Sequence, residues 1–266
     1  MVGEWLIYAS TAILGHMQLT GNTILVTGGG SGIGAGLAGA FHRARNQVVI
    51  AGRRRDALEA VANRYPGMAH LPLDLGNLAC IDAFADELVR RHPDVNVLVN
   101  NAGIMAVEDL ERTVPRVIRA VCSTNLIGPL LLVSHLLPTL KQHPRAAIVN
   151  VSSALAFVPK ASMPTYSATK AALHSYTQSL RFQLQDSSIQ VIEIPPPMVY
   201  TDNRPTDANG VGVDEFIDEV LSELASHPEA GEAVVSAARR LRFADRRGEY
   251  EKQFTAVNPM PPKGKS

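Results

Sequence analysis

A regular alternation of short apolar runs with longer helical patterns is the feature that most constrains the fold. The runs are apolar on both faces and rich in β-branched residues. They cover Thr23–Thr27, Gln47–Ala51, Ala69–Leu73, Val95–Val99, Ala146–Val151 and Ile189–Ile194. Strands of this kind are typical of a parallel sheet that is covered by helices on both sides.

Segments with helical periodicity separate these strands. Five lie between consecutive strands, at 32–44, 55–65, 77–92, 115–141 and 166–185, and two more follow the last strand, at 214–225 and 229–242. Because strand–helix–strand units cross over with a right hand, the alternation predicts an α/β fold. We expect three layers, doubly wound, around a mostly parallel sheet of six or seven strands. No linker divides the chain, so residues 17–250 are predicted to form one domain.

The two ends of the chain are set apart from this domain. Residues 1–16 form an N-terminal extension without an assigned role, and residues 251–266 are predicted to be a C-terminal tail. The apolar stretch Trp5–Leu14 is too short to span a bilayer. No Lys or Arg precedes it, so the charged start of a signal peptide is missing.

Charge and cysteine content exclude several kinds of partner. Lys plus Arg and Asp plus Glu both number 25, so the formal net charge is zero. This balance gives no basis for nucleic acid or an anionic membrane as the main partner. Cys80 and Cys122 lie far apart and have no metal-ligand spacing, which predicts free thiols, a cytoplasmic location and no metal site.

A glycine-rich turn follows the first strand directly. Thr27–Gly34 reads TGGGSGIG and ends where a helical pattern begins. Glycines let the backbone approach a ligand closely, and the helix N-terminus offers N–H groups to an anion. The turn therefore predicts binding of a dinucleotide pyrophosphate, with contacts from Gly28, Ser31, Gly32, Ile33 and Gly34.

The end of the second strand bears on which dinucleotide binds. A site for NAD(H) would place a carboxylate here to hold the ribose 2′-hydroxyl. The sequence instead reads Gly52-Arg53-Arg54, and either arginine could bind a 2′-phosphate through charge-assisted hydrogen bonds. The alternative is a solvated basic helix start, although cations are disfavoured at a helix N-terminus. The pattern favours NADP(H) over NAD(H).

Candidate catalytic residues follow the fifth strand. Ser152 and Ser153 close that strand, and ligands of open parallel sheets bind beyond the carboxyl ends of the strands. Tyr166 and Lys170 are four residues apart in a helical pattern, so both can point at one site. A Tyr and a Lys at this spacing are by themselves a common structural pair. The ordered set of glycine turn, strand-end serine and Tyr–Lys pair is much more specific.

These residue types suit a hydride transfer between a nicotinamide and a carbonyl compound. The carbonyl oxygen must receive a proton, and a free Tyr has a pKa of about 10, too high for exchange near neutrality. A Lys ammonium at ~4 Å stabilises the phenolate by about 4 kcal/mol at an effective dielectric constant of ~20. Ser153 is expected to hydrogen-bond the carbonyl oxygen and polarise it.

Together with the segment Asn100–Gly103 (NNAG), these motifs resemble those of the short-chain dehydrogenase/reductase family over residues 17–201. The resemblance implies a Rossmann fold and a nicotinamide cofactor. It also implies Tyr166 as the general acid/base, with Lys170 binding the nicotinamide ribose as well as tuning Tyr166. Asn125 matches a family position that helps to hold a proton-relay water, although the residue alone is equally compatible with a structural role.

The family resemblance implies further cofactor contacts. Asp74 matches a position that contacts the adenine amino group, although a turn or cap Asp is nearly as good an explanation. Asn101, Ala102 and Gly103 are expected beside the adenine ribose. Val199 and Thr201 match residues that hold the nicotinamide carboxamide. Pro197 replaces the usual Gly of that motif, which puts the path of the loop in doubt.

Four stretches are similar to the bacterial DltE-like branch of the family, namely Val151–Pro159, Tyr166–Arg181, Pro196–Val199 and Arg242–Phe254. The predicted activity is an NADP(H)-dependent oxidoreduction of a small carbonyl or alcohol substrate. An NAD-preferring dehydrogenase and a catalytically idle nucleotide-sensing or scaffold protein are the alternatives.

Substrate choice and assembly depend on segments outside these motifs. We expect residues 154–165 and 202–215 to set the choice of substrate. The apolar faces of 115–141 and 166–185 predict a homodimer. No seventh strand with a DGG-like turn is found, which makes a tetramer less expected without excluding it.

Overall fold

The computed structural model describes residues 17–112, 114–201 and 210–259. The first half runs β1 (Thr23–Thr27), α1 (Gly32–Arg43), β2 (Gln47–Gly52), α2 (Arg55–Ala62), β3 (Ala69–Pro72), α3 (Ile81–Arg91), β4 (Val95–Asn100) and α4 (Pro115–Cys122). The second half runs α5 (Gly128–Leu140), β5 (Ala146–Val151), α6 (Pro164–Gln183), β6 (Ile189–Ile194), β7 (Val199–Tyr200), β8 (Val211–Gly212), α7 (Val213–Ser226), α8 (Arg239–Arg242) and α9 (Tyr250–Val257).

Six strands form one parallel sheet in the order β3-β2-β1-β4-β5-β6. The predicted doubly wound fold of three layers is confirmed, with six strands. Alternate residues of each strand face opposite layers, so that Ile24 and Val26 pack on one side of β1 and Leu25 on the other. The chain order reverses between β1 and β4, and such a reversal opens a crevice beyond the strand ends.

The two layers of helices differ in composition. Residues of α1, α2 and α7 pack with the C-terminal segment on one face of the sheet, and residues of α3, α5 and α6 pack on the other. The continuous helical run Pro115–Leu140 is 26 residues long, with a mean hydropathy of 1.6 in its most apolar window. It is long and apolar enough to cross a membrane, and here it packs against α3, α6 and the sheet.

The predicted helix 115–141 contains one wider turn. Residues Ser123–Ile127 form a π-helical turn between α4 and α5, in which Gly128 N–H donates to the Ser123 carbonyl. The next residue, Pro129, has no N–H and cannot donate to the Asn125 carbonyl as an α-helix would require. Pro129 therefore follows a π-turn, a feature often found at functional sites.

The predicted helix 229–242 is wrong over its first half. Residues 229–235 are not helical, and Glu232 instead forms a single parallel bridge with Glu193 at the edge of β6. Glu193 N–H donates to the Gly231 carbonyl, and Ala233 N–H donates to the Glu193 carbonyl. The backbone hydrogen bonds that a helix would use are made with the sheet edge.

The C-terminal segment extends the domain beyond residue 250. α9 packs Tyr250, Phe254 and Val257 against the core, and Gln253 is buried. Asn258 accepts a hydrogen bond from Ala161 N–H at 2.6 Å and donates one to the Pro159 carbonyl at 3.0 Å. The predicted tail therefore begins with a docked helix, and the N-terminal extension 1–16 lies outside the described residues.

Candidate active site

A cleft of about 930 Å³ opens beyond the carboxyl ends of the strands, at the point where the strand order reverses. Most of the residues predicted for the site line it. They are Gly28, Ser31, Ile33, Gly34, Arg53, Arg54, Asp74, Asn101, Ala102, Gly103, Ser153, Tyr166, Lys170, Val199 and Thr201. The sequence motifs, which are far apart along the chain, therefore meet in one place.

The glycine turn forms the floor of the cleft at the start of α1. A Cβ atom at Gly34 would lie 2.3 Å from the Gly28 carbonyl oxygen and 2.4 Å from Asn101 Nδ2, so only glycine fits there. Gly32 has a φ of +54° and faces the Thr201 methyl group, where a Cβ would lie 2.9 Å away. Gly32 does not line the cleft itself. Because it has no side chain, the loop that carries Thr201 can pack closely against the glycine turn.

Thr27 organises the turn, although no sequence pattern marks it as a separate site residue. Its Oγ1 donates to the Val99 carbonyl and accepts hydrogen bonds from the N–H groups of Asn101 and Ala102. Asn101 Nδ2 donates in return to the Thr27 carbonyl at 2.9 Å. The glycine turn and the NNAG segment are therefore held together at the ends of β1 and β4.

The end of the cleft beside β2 is basic. Arg54 precedes α2 and donates to Ser31 Oγ at 3.3 Å, which links the end of β2 to the glycine turn. In the described part of the chain, Arg53 and Arg54 make no ion pair with a carboxylate, whereas Arg55 lies 3.7 Å from Glu59. Asp74 accepts a hydrogen bond from Gly76 N–H, so it closes a turn and also lines the cleft.

Ser153 lies two residues after the end of β5 and lines the cleft. Its Oγ accepts a hydrogen bond from Leu155 N–H at 3.1 Å, as the cap of the short 3-10 helix Ala154–Ala156. A serine hydroxyl has one proton to donate and two lone pairs. Because the bond to Leu155 uses a lone pair, the proton can be donated to an oxygen atom of a ligand.

Tyr166 and Lys170 lie one turn apart in the first half of α6 and both line the cleft. Lys170 is buried, its Nζ donates to the Val151 carbonyl at 2.8 Å, and Nζ lies 5.8 Å from the centre of the Tyr166 ring. Burial lowers the pKa of Lys170 from 10.5 to about 8, and the Glu193 carboxylate opposes this lowering. Lys170 is therefore mainly an ammonium at neutral pH and loses its charge as the pH rises through about 8.

Asn125 lies behind the wall of the cleft, within the π-turn, and is fully buried. Its Oδ1 accepts from Ile104 N–H at 2.8 Å, and its Nδ2 donates to the Ile104 carbonyl at 2.9 Å. A Cβ at Gly103 would lie 3.5 Å from Asn125 Oδ1 and 3.6 Å from Lys170 Nζ. The side chain of Asn125 thus fixes the strand-end loop beside Lys170.

The loop after β6 follows a path that keeps its expected residues in place. Pro197, Met198, Val199 and Thr201 all line the cleft, and the Pro196 carbonyl accepts a hydrogen bond from Ala154 N–H. Val199 pairs with Val211 in the small sheet of β7 and β8. Proline at position 197 therefore leaves Val199 and Thr201 on the cleft wall. Residues 202–209, part of the predicted substrate loop, lie outside the described residues.

One wall of the cleft was missed by sequence reasoning. Besides Leu155, Lys160 and Met163 of the expected segment 154–165, it is built from the C-terminal residues Ala237, Arg240, Leu241, Ala256, Val257 and Pro259. No local motif marks these positions, because they reach the cleft only through the docking of α8 and α9.

Comparison with known proteins agrees with this architecture. The model of the short chain dehydrogenase family matches residues 22–210. An uncharacterized oxidoreductase, DltE of Bacillus subtilis, is 35% identical over 91% of this chain and 98% of its own length.

Two solved structures with bound cofactors are similar. A short chain dehydrogenase from Burkholderia cenocepacia in complex with NADP has a TM-score of 0.77 and 29% identity, covering 92% of this chain and 100% of that one. A 3-ketoacyl-(acyl-carrier-protein) reductase from Brucella melitensis complexed with NADH has a TM-score of 0.74 and 26% identity, covering 82% and 96%. The fold, the cleft and these similarities lead to one conclusion: the chain belongs to the short-chain dehydrogenase family of oxidoreductases, in its DltE-like branch.

Proposed function

We propose that the protein is an NADP(H)-dependent oxidoreductase that interconverts a small carbonyl compound and its alcohol. The observation that carries this proposal is the meeting of Ser153, Tyr166 and Lys170 in the same cleft as a glycine turn without room for side chains. A proton donor, a hydrogen-bond donor and a buried cation thus face the space where a reacting carbonyl would lie.

The residues of the cleft fit a phosphorylated dinucleotide. The turn at Gly34 is closed to any side chain, and the N-terminus of α1 offers N–H groups to a pyrophosphate. Arg53 and Arg54, which line the cleft, would bind the 2′-phosphate. Val199 and Thr201 would hold the nicotinamide carboxamide, Asn101, Ala102 and Gly103 would flank the adenine ribose, and Asp74 would contact the adenine. When bound, the cofactor supplies or accepts the hydride.

Side chains of the protein supply and remove the proton on the substrate oxygen. Ser153 donates a hydrogen bond to the carbonyl oxygen, which polarises the bond before reaction. Tyr166 gives its proton to that oxygen in reduction and takes it back in oxidation. The Lys170 ammonium stabilises the phenolate that Tyr166 becomes. Asn125 holds Gly103 and Ile104 in register beside Lys170, which keeps this corner of the cleft in shape.

A screen tests the proposed activity directly. Purified protein is mixed with NADPH and a panel of aldehydes and ketones, and NADPH consumption is followed by absorbance. We expect at least one carbonyl compound to be reduced, and the matching alcohol to be oxidised with NADP. If a folded protein that binds NADPH turns over no compound of a broad panel, the proposed activity is contradicted.

Replacement of both Arg53 and Arg54 by Ala is expected to weaken NADPH binding by roughly 10- to 100-fold, because charge-assisted hydrogen bonds contribute about 1.5–3 kcal/mol. NADH affinity is expected to change little, since NADH has no 2′-phosphate. The measurement is a fluorescence titration of both cofactors. Arg55→Ala is the matched control, because Arg55 is paired with Glu59 and does not line the cleft. Tighter binding of NADH than of NADPH by the unmodified protein would favour the NAD-preferring alternative.

We also propose that two copies pair through the helical run 115–140 and α6. Phe182 on α6 is 71% exposed, and Ile118 and Ile127 on the neighbouring run are about 40% exposed. Phe182→Asp is expected to turn a dimer into a monomer in size-exclusion chromatography with light scattering. Leu110→Asp is the control, because Leu110 is equally exposed but lies outside both helices. A monomeric unmodified protein would contradict this assembly.

A further inference from the structure

A buried carboxylate lies behind the cleft and is not part of its lining. Glu193 is the next-to-last residue of β6, next to β5, and its side chain has no exposed surface. An ionised carboxylate in such a place is costly unless charges and hydrogen bonds compensate it. The contacts of Glu193 therefore indicate what it does.

Both carboxylate oxygens of Glu193 have a partner. Ser152 Oγ donates to Oε1 at 2.5 Å, and Oε2 lies 2.7 Å from Nδ1 of His174. Ser152 is at the end of β5, and His174 lies one turn after Lys170 on α6. Glu193 thus joins the strand that carries Ser153 to the helix that carries Tyr166 and Lys170.

Three consecutive residues at the end of β5 are fixed from two sides. The Val151 carbonyl accepts a hydrogen bond from Lys170, Ser152 donates one to Glu193, and Ser153 faces the cleft. Lys170 and Glu193 together set the position of the peptide that presents the Ser153 hydroxyl. A loss of either contact would let that hydroxyl move relative to Tyr166.

Glu193 is also the carboxylate whose charge acts on Lys170. Within the described ranges, Lys170 makes no ion pair, and its Nζ donates to a neutral carbonyl. Burial lowers its pKa to about 8, and the Glu193 charge raises the pKa against that effect. Without this charge, Lys170 would lose its proton at a lower pH.

We propose that Glu193, held between Ser152 and His174, is a positioning residue of the active site, which fixes the strand end carrying Ser153 and supplies the buried negative charge opposite the Lys170 ammonium. This inference deepens the proposed oxidoreductase function and rests on it. Glu193 acts through Lys170 and Ser152, and we assign it no contact with substrate.

Other charged groups surround this network. Glu232 beside β6 and Arg242 of α8 form a paired bridge at 2.6 and 2.7 Å, and Arg181 of α6 donates to the Val191 and Gly231 carbonyls. The Arg242 guanidinium stacks on Phe157 at 4.3 Å, and Phe157 contacts the His174 ring edge-on at 4.6 Å. These groups make a packed shell around His174 that connects the network to the C-terminal segment.

The same cluster could be read as a metal site. Ligand atoms of His174, Glu193 and Glu232 lie within 4.8 Å of one another. However, the oxygens of Glu193 are bonded to Ser152 and His174, and those of Glu232 to the Arg242 guanidinium. A cation placed there would have to displace these donors and would face the positive charge of Arg242. A hydrogen-bonded network explains the geometry better.

The test measures NADPH affinity by fluorescence between about pH 6 and pH 10, on both sides of the expected midpoints, and requires no turnover. In the unmodified protein, affinity is expected to fall as Lys170 loses its charge near pH 8. In Glu193→Gln the midpoint of that fall is expected to move to lower pH by about one unit, because the opposing charge is gone. The alkaline fall of kcat for a responsive carbonyl compound is expected to shift in the same direction. His174→Phe is expected to shift the same pH midpoint by a smaller amount, because it removes the contact between His174 Nδ1 and the Glu193 carboxylate but keeps the carboxylate itself.

Two controls separate this effect from a general loss of stability. Lys170→Met is expected to remove the pH-dependent step, which identifies its source. His135→Phe breaks a comparable contact, the 2.7 Å pair of His135 with Asp82, away from the cleft, and is expected to leave the midpoint unchanged.

The inference would be overturned if NADPH affinity fell at the same pH midpoint in Glu193→Gln, in His174→Phe and in the unmodified protein. It would also be overturned if the pH-dependent fall in affinity persisted in Lys170→Met. If Glu193→Gln does not fold, His174→Phe alone decides the question. If the variants show these shifts in pH midpoint but the unmodified protein reduces no carbonyl compound, the proposed function is contradicted. The effect of Glu193 on Lys170 is still supported in that case.

Discussion

Tyr166→Phe is expected to lower kcat for carbonyl reduction by about a thousandfold, because general acid/base catalysis by a positioned side chain contributes roughly 10²–10⁴. The ring remains, so packing in the first turns of α6 is preserved, and only the phenolic proton is lost. The dissociation constant of NADPH is expected to stay within about twofold, since no hydrogen bond to the pyrophosphate or the 2′-phosphate is removed. Steady-state kinetics on a responsive substrate and a fluorescence titration measure the two quantities.

Tyr176→Phe is the matched control for this variant. Tyr176 lies on the same helix, ten residues on, where it is partly buried and packs against the core on the α3, α5 and α6 face of the sheet. Removal of its hydroxyl is expected to leave kcat within about threefold, as surface and partly buried changes away from the site usually cost little. Unchanged turnover in Tyr166→Phe would show that another group supplies the proton.

Gly34→Ala is expected to weaken NADPH binding by about 10- to 100-fold, the equivalent of the 1–3 kcal/mol that overpacking usually costs. The new Cβ would lie 2.3 Å from the Gly28 carbonyl oxygen and 2.4 Å from Asn101 Nδ2. The first of these atoms is backbone, so the turn must shift to relieve the clash. Both contacts belong to the floor on which the pyrophosphate would lie.

Gly212→Ala provides the comparison, because a Cβ at Gly212 meets nothing within 4 Å. Gly212 does not line the cleft, so the NADPH affinity of Gly212→Ala is expected to equal that of the unmodified protein. Titration of both variants with NADPH, together with thermal unfolding, separates a local effect on the turn from general destabilisation. A Gly34→Ala protein that binds NADPH normally would show that the turn is free to move and that its close packing has no part in binding.

Much of the fold follows from local sequence patterns. β1, β5 and β6 were predicted with their observed bounds, because strands of a parallel sheet are buried on both faces and therefore form uninterrupted apolar runs. The segment 229–235 was predicted as helix because its composition is helical, yet Gly231 and Ala233 bond to the edge of β6 instead. Tertiary hydrogen bonds override such weak local preferences.

The candidate site was predictable where spacing within one element places side chains together. Tyr166 and Lys170 share a face of α6, and Ser153 follows a strand that faces the same edge of the sheet. Glu193 and His174 were not selected, because their partnership joins a strand and a helix 19 residues apart. Neither element has a pattern that shows the contact.

The C-terminal docking of Asn258 on the 159–161 loop has a consequence for how this enzyme can diverge. The cofactor half of the cleft comes from residues 27–103 and 199–201, whereas the missed wall comes largely from α8, α9 and the residues beside them. Selection acting on substrate range can therefore operate on a stretch of chain separate from the one that holds the nucleotide. Changes at Ala237, Leu241 or Val257 would reshape this wall of the cleft while leaving Ser153, Tyr166 and Lys170 in place, so that proteins with the same three residues can differ in the shape of the cleft.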